Sequence, residues 1–499
     1  MGEVVFAVRL LSEVGVAVAL LRWLAGRANN GWIVWLTLSS FIIRLLIGLG
    51  LFLVSFLHLP ILVSLQLPGG YWTFATDAVE YASQAHNLQD VGSHLQNGSF
   101  DRFPIIIAGI YWAFGFGLPQ VLVANALFAA MCVPLAFVAA RSLGVTSISA
   151  VIAACIVAFW PSSLAWSSQL LKDPLTWLAI FAVVAGVSCL MCTDPKLAPR
   201  KLLSWGTVVF GGALLVSLIR GQYTSPAIVG AVLVGIAVSV ISARLQHRDI
   251  GRLAPVSIVL AAVVLGSIPS YYEEPLNHVG VNAFDVMRAK LSSFFSQPSS
   301  GASTANPGPS VETAPSPVSS LGCSLAGPFL RARGRFVTSG GGSQLDSTTR
   351  FETCGDVLGY LPRALQLALV GPKPSEWRSV GNSIGPLRYL ANIEDAFLWL
   401  SLPGLLVALV ASFIRPRGAM PILALYVLFL GLALGFVVSN LGTLFRLRLQ
   451  ILLPAFILSL DGWTMIFAWV GAWRPRRRPQ SQSSLPLNQS DKQTIGLTS

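Results

Sequence analysis

The chain has 499 residues, of which 54% are hydrophobic and only 11% charged, and its mean hydropathy is +0.69. Soluble domains carry roughly 25% charged residues, so the composition excludes an ordinary soluble enzyme and points to an all-α polytopic membrane protein. The net charge of +12 does not mark a nucleic-acid binder, because Lys and Arg sit in short loops between apolar runs, as topology signals do.

The first apolar stretch, residues 4–24, is interrupted by Arg9 and Glu13 and lacks the basic start and small-residue cleavage site of a secretory leader. The segment 1–30 therefore holds either a first membrane helix or an amphipathic helix lying in the interface. About 20 apolar residues cross a hydrocarbon core. By that measure spans fall at 31–57, 119–141, 147–162, 174–192, 202–219, 223–243, 253–270, 393–414, 419–439 and 449–472, ten in all, or eleven with the opening stretch. The first seven form a transmembrane core, 31–270, with a first loop at 58–118. A large loop, 271–392, follows, then the C-terminal spans within 393–473. Residues 474–499 read as a disordered tail.

Basic clusters orient these spans. Arg22 and Arg27, then Arg141, then Lys196, Arg200 and Lys201, then Arg244, Arg248 and Arg252, then Arg415 and Arg417, and finally "RPRRRPQ" at 474–480 all fall on one face. That face is expected to be cytoplasmic. The opposite, extracytoplasmic face then carries residues 58–118, the short turn 162–173, and the loop 271–392. Within that loop, 296–320 is rich in Ser, Pro, Gly and Ala and reads as a disordered excursion. Two stretches, 101–120 and 360–377, suit helices lying in the interface.

Chemistry-bearing residues gather on the same outer face. In "FATDAVEYASQAHNL", residues 74–88, helical spacing puts Asp77, Glu80, Tyr81 and Gln84 on one side and Ala78, Ala82 and Ala85 on another that packs toward lipid. A carboxylate at a membrane interface can act as a general base on a hydroxyl; otherwise the stretch is an ordinary solvated helix. In "WSSQLLKDPLTW", Lys172 and Asp173 stand where a span begins, with Pro174 well suited to a first helical position. Asp173 either caps that helix or faces a cavity with Asp77, or helps bind a phosphate-bound metal. Arg220 lies in a very short outer turn and could join the basic side of such a cavity. Arg446 and Arg448, in "GTLFRLRLQILLP", break the positive-inside pattern. An anionic lipid headgroup such as a polyprenyl phosphate is a natural partner, because Arg binds phosphate in a bidentate manner; a protein carboxylate or snorkelling would also serve. Arg44, in mid-span, must face a cavity, pair, or snorkel.

Of six cysteines, Cys132, Cys155, Cys189 and Cys192 fall in or near spans and read as small buried residues. Cys323 and Cys354 share the outer loop, where an oxidising compartment would allow a disulfide; the alternative is two free thiols. Cys189 and Cys192 have no second ligand pair and do not read as a zinc site.

Taken together, "TDAVEYASQAHNL", "RFPIIIAGIYWAFGFG", "SSQLLKDPL", "YLPRALQLALVGP" and "GTLFRLRLQILLP" resemble the GT-C superfamily of integral membrane glycosyltransferases. That group includes the dolichyl-phosphate-mannose-dependent protein mannosyltransferases and the bacterial lipid A aminoarabinose transferases. The resemblance covers most of residues 30–470 as architecture, through short and degenerate motifs. It implies a transferase in the plasma (inner) membrane that moves a sugar from a polyprenyl phosphate to a glycan, lipid or protein acceptor. Asp77 would be its general base or would position the acceptor, with Arg446 and Arg448 holding the donor phosphate and Lys172 a possible helper. The adjacent acidic pair often found in the group is missing: Ala78 follows Asp77, and Glu80 stands three residues on. The base is therefore open between Asp77 and Glu80, and a divalent metal is neither required nor excluded. The rival readings are a transporter or flippase for a lipid-linked glycan, a polymerase or ligase of another membrane fold, and a non-catalytic envelope scaffold.

Overall fold

The computed structural model describes residues 2–89, 102–192, 199–245, 253–271, 327–338, 344–351, 353–376 and 385–472. The expected excursion at 296–320, the tail 474–499 and Cys323 lie outside the described residues. Those described are almost entirely helical, because in hydrocarbon a segment must satisfy its own N–H and C=O groups. Nine of their helices are long and apolar enough to cross a membrane, ten if one bent pair counts as a single span.

Two helices open the chain, α1 (Gly2–Gly26) and α2 (Gly31–Phe56). Asn30 caps α2 by accepting from the Trp32 amide. α1 is long and apolar enough to span, and its Ala17 and Leu21 pack against Val123, Ala126 and Ala130 further along the chain. A small hairpin, β1 (Gln66–Leu67) with β2 (Tyr71–Trp72), follows α2. Then come α3 (Asp77–Gln89) and α4 (Phe103–Phe114), the latter too short to cross, as expected of 101–120.

The central bundle comprises α5 (Leu118–Ser142), α6 (Ser147–Phe159), α7 (Pro161–Ser167), α8 (Asp173–Cys192), α9 (Pro199–Leu245) and α10 (Leu253–Tyr271). The expected single span 147–162 is instead broken: α6 and α7 meet at 45°. Pro161 explains the break, since it drives the preceding Trp160 to an extended conformation (φ −58°, ψ 122°). Arg44, in α2, makes the break affordable. Its guanidinium donates to the carbonyls of Val157 and Ala158 at 3.0 Å each, which lie in the last turn of α6 and have no helical partner. It also donates to the carbonyl of Ser163 in α7 at 2.7 Å. Arg44 therefore pairs within the bundle, with backbone carbonyls and the hydroxyls of Ser40, Ser163 and Ser167 rather than with a carboxylate. The expected spans 202–219 and 223–243 are joined as α9, which kinks at Arg220 (φ −150°, ψ 48°).

The remaining helices are α11 (Gly327–Thr338), α12 (Cys354–Val370), α13 (Gly385–Ile414), α14 (Met420–Val437), α15 (Leu441–Leu447) and α16 (Leu449–Ala472). α12 starts with a capping box between Thr353 and Asp356. α13 and α16 touch at Gly404 and Gly462, where neither position has room for a Cβ; small residues allow this close approach in membrane bundles.

The bundle has two distinct ends. At one, Cys192 donates to the Ser142 carbonyl and Gly418 lies against Cys192, so Arg141, Arg200, Arg415 and Arg417 share that end. At the other end, the start of α8, the kink of α9, α3 and α15 converge, and there the candidate residues meet.

Candidate functional site

The loop leading into α8 is fixed from below. Asn125, buried in α5, uses its amide nitrogen on the carbonyls of Gln169 and Leu171. Asp173 then emerges as the first residue of α8, with its side chain fully buried. Its Oδ1 lies 3.0 Å from Arg220 Nη2, and its Oδ2 lies 3.4 Å from Arg446 Nε. Arg220 can reach it because the α9 helix breaks at that residue.

Asp77 approaches from the opposite side. Ser55, near the end of α2, donates to the carbonyls of Leu67 and Tyr71, which ties the hairpin to the bundle just before α3. Ala78, Ala82 and Ala85 are buried against Phe103, Ile107 and Tyr111 of α4. They pack within the protein and not toward lipid, because α4 covers that face. Tyr81 meets Phe103 edge-on with ring centroids 5.3 Å apart. So held, Asp77 Oδ2 lies 2.8 Å from Arg446 Nη2.

The result is a linear chain of alternating charge, Asp77–Arg446–Asp173–Arg220, drawn from α3, α15, α8 and α9. Lys172 adds a further cation nearby, its Nζ 5.7 Å from the Tyr81 ring centroid, within cation–π reach. Burial would lower the pKa of Arg446, but Asp173 and then Asp77 outweigh it, and the value is raised. Arg446 is thus cationic at any working pH.

Two sequence candidates fall outside this chain. Glu80 is exposed and accepts from Gln84 at 3.0 Å; helix geometry turns it about 60° from Asp77 and about 100° from Tyr81. Arg448 also departs from expectation. It lies two residues past Arg446, at the α15–α16 junction itself, with its guanidinium 3.6 Å from the Phe445 ring centroid. There its Nη2 donates to Asp395 Oδ1 at 2.7 Å, and the two side chains are 1% and 0% exposed. Gly371 closes over this pair: its φ is +74°, and a Cβ there would lie 2.6 Å from the Asp395 carboxylate. Next to Asp395, Glu394 accepts from the Ser162 amide. The adjacent acids in "ANIEDAFLWL", at the start of an apolar run, were the available signal for this second cluster.

The Asp395–Arg448 pair joins α13 to the α15–α16 junction. Asp395→Ala strands a buried cation and is expected to cost about 3–5 kcal/mol. Thermal unfolding in detergent should therefore show a marked drop for Asp395→Ala. Adding Arg448→Met to Asp395→Leu should restore most of the loss, because an apolar pair leaves no charge unsatisfied.

Farther out, Asp346 is held by Arg363 at 3.1 Å and by the Tyr360 hydroxyl at 3.0 Å, and Arg363 reaches Glu376 at 2.8 Å. Burial pushes the Tyr360 hydroxyl up to about 12, so it stays protonated and donates. This network pins α12, the expected amphipathic element of 360–377, which packs on α14. Cys354, at the head of α12, is disulfide-bonded. Among the described residues, no group of three or more His, Cys, Asp or Glu could hold a metal ion, and Asp77 and Asp173 are already committed to Arg446.

A scan against protein-family models finds no match, and a search of curated proteins finds none either.

Proposed function

We propose that this multi-pass membrane protein is a glycosyltransferase that moves a sugar from a polyprenyl-phosphate donor to an acceptor hydroxyl. The observation that carries the reading is the contact between Asp77 and Arg446 at 2.8 Å. It joins, from opposite ends of the chain, the two groups that such a transfer needs. The resemblance to the GT-C superfamily supports the same reaction class.

In the reaction, Asp77 takes the proton from the acceptor hydroxyl. The acceptor oxygen forms a bond to the anomeric carbon as the bond from that carbon to the phosphate oxygen breaks. The electron pair leaves with the prenyl phosphate, and the anomeric configuration inverts. Arg446, backed by Arg220 through Asp173, stabilises the charge that develops on the departing phosphate. This reading gives the base to Asp77 rather than Glu80 and the phosphate contact to Arg446 rather than Arg448.

The reaction face is extracytoplasmic, in the plasma (inner) membrane. In support, Arg141, Arg200, Arg415 and Arg417 crowd the opposite end of the bundle, as the positive-inside pattern requires of a cytoplasmic end. The acceptor is a glycan, lipid or protein of the cell envelope.

The test is direct. The protein, purified into lipid, is offered radiolabelled polyprenyl-phosphate sugars and a crude envelope acceptor. Label appearing in a new glycosidic bond is the expected result. Label that crosses the bilayer without bond formation would replace this reading with a flippase.

A further inference from the structure

Asp77 and Asp173 hold the same guanidinium under unlike conditions. Asp173 is fully buried and has Arg220 as a second cation at 3.0 Å. Asp77 is 38% exposed, and Arg446 between them is 16% exposed. The chain of four groups carries two negative and two positive charges, so its charges already balance. A phosphate arriving here must take a guanidinium face from a carboxylate that already occupies it.

Only one carboxylate can give way at low cost. Drawing Arg446 from Asp173 would weaken the pairing of a buried anion, which is strongly unfavourable. Asp77 stands at the wet end of the chain, where water and salt screen the pair. Resting on the glycosyltransferase reading above, we infer that the Asp77 carboxylate sits in the place on Arg446 that the donor phosphate takes, so that donor and base compete for one guanidinium. Without donor, Asp77 Oδ2 is held on the guanidinium. While Asp77 accepts from Arg446, that oxygen is not free to receive a proton from an acceptor hydroxyl. When the prenyl phosphate displaces it, Asp77 is released beside an anion, and such a neighbour favours the protonated product of base catalysis. Donor therefore binds before the oxygen that Arg446 holds becomes competent, and an acceptor or water that enters first meets Asp77 Oδ2 already engaged.

The experiment uses the full chain in phosphatidylcholine nanodiscs at fixed salt, with farnesyl phosphate as the probe, and measures binding by calorimetry. Asp77→Asn and Asp77→Ala are expected to bind the probe more tightly, by on the order of fivefold, the factor a partly exposed ion pair is worth. Ala should show the larger gain, because the Asn amide oxygen still accepts from Arg446. Arg446→Ala should bind weakly, and adding Asp77→Ala to it should yield no gain. Unfolding temperatures close to that of the unmodified protein establish that the variants are folded. If transfer is lost in the Asp77 variants but their affinity for the probe is unchanged or weaker, the competition is refuted and the base assignment survives. If both Asp77 variants still transfer sugar, the base assignment itself falls, and the inference with it.

Discussion

Asp77→Asn is expected to lower the rate of sugar transfer by about 10²- to 10⁴-fold, the usual contribution of a positioned general base, while leaving the protein folded. The substitution keeps the side chain's shape and removes only its charge. Asp77 is 38% exposed, Arg446 keeps Asp173 with Oδ2 3.4 Å from its Nε, and α3 keeps its packing through Ala78, Ala82 and Ala85 on α4. The measurement is the initial rate of label transfer from a polyprenyl-phosphate sugar, alongside thermal unfolding of the same preparation. Glu80→Gln is the matched control. Glu80 is exposed and engaged with Gln84, so its rate should stay close to that of the unmodified protein. A reversed pattern, with Glu80→Gln inactive and Asp77→Asn active, would move the base to Glu80 and break the link to Arg446.

Arg446→Ala is expected to cost roughly 10²- to 10³-fold in the same assay, the range seen when one preorganised charge-stabilising donor is removed. The loss should not be reproduced by a general weakening of the fold, because Asp173 keeps Arg220 at 3.0 Å. Arg446→Lys should recover little. The guanidinium spans Asp77 and Asp173 with two different nitrogens, Nη2 and Nε, and an ammonium is a single point charge. Arg448→Met paired with Asp395→Leu provides the contrast. That double variant should retain transfer if Arg448 serves only to hold α13 to the α15–α16 junction. Equal loss in Arg446→Ala and the apolar double variant would show that position, and not phosphate contact, sets the rate.

Part of this arrangement was legible in the chain. Long apolar runs of helical length satisfy their own backbone in hydrocarbon, so most of the crossing helices followed from composition and length, whereas the break at Trp160, the joining of 202–219 to 223–243 at Arg220 and the shortness of 253–270 did not. Asp77, Asp173, Arg220 and Arg446 stood out for a simple reason: charges are costly near a membrane and rarely sit there without a partner. Partner choice was less legible. Arg446 and Arg448 look alike in "FRLRLQ", yet one faces Asp77 and the other faces Asp395. A helix turns them by about 200° relative to each other, and only the packed neighbours decide which direction is which. Glu80 shares the same difficulty with Asp77, and the lid formed by α4 over the alanines of α3 depends on a contact between separate elements.

The sequence by itself determined that the protein is a helical membrane bundle, and it identified which charges require explanation, because the energy of placing polar groups in lipid is set locally, residue by residue. The tertiary structure alone decided that Asp77, Arg446, Asp173 and Arg220 form one continuous chain, that Arg44 closes the broken α6–α7 span, and that Arg448 belongs to a separate buried pair. Ion pairing falls off within a few ångströms, and no local rule states which distant segments come that close.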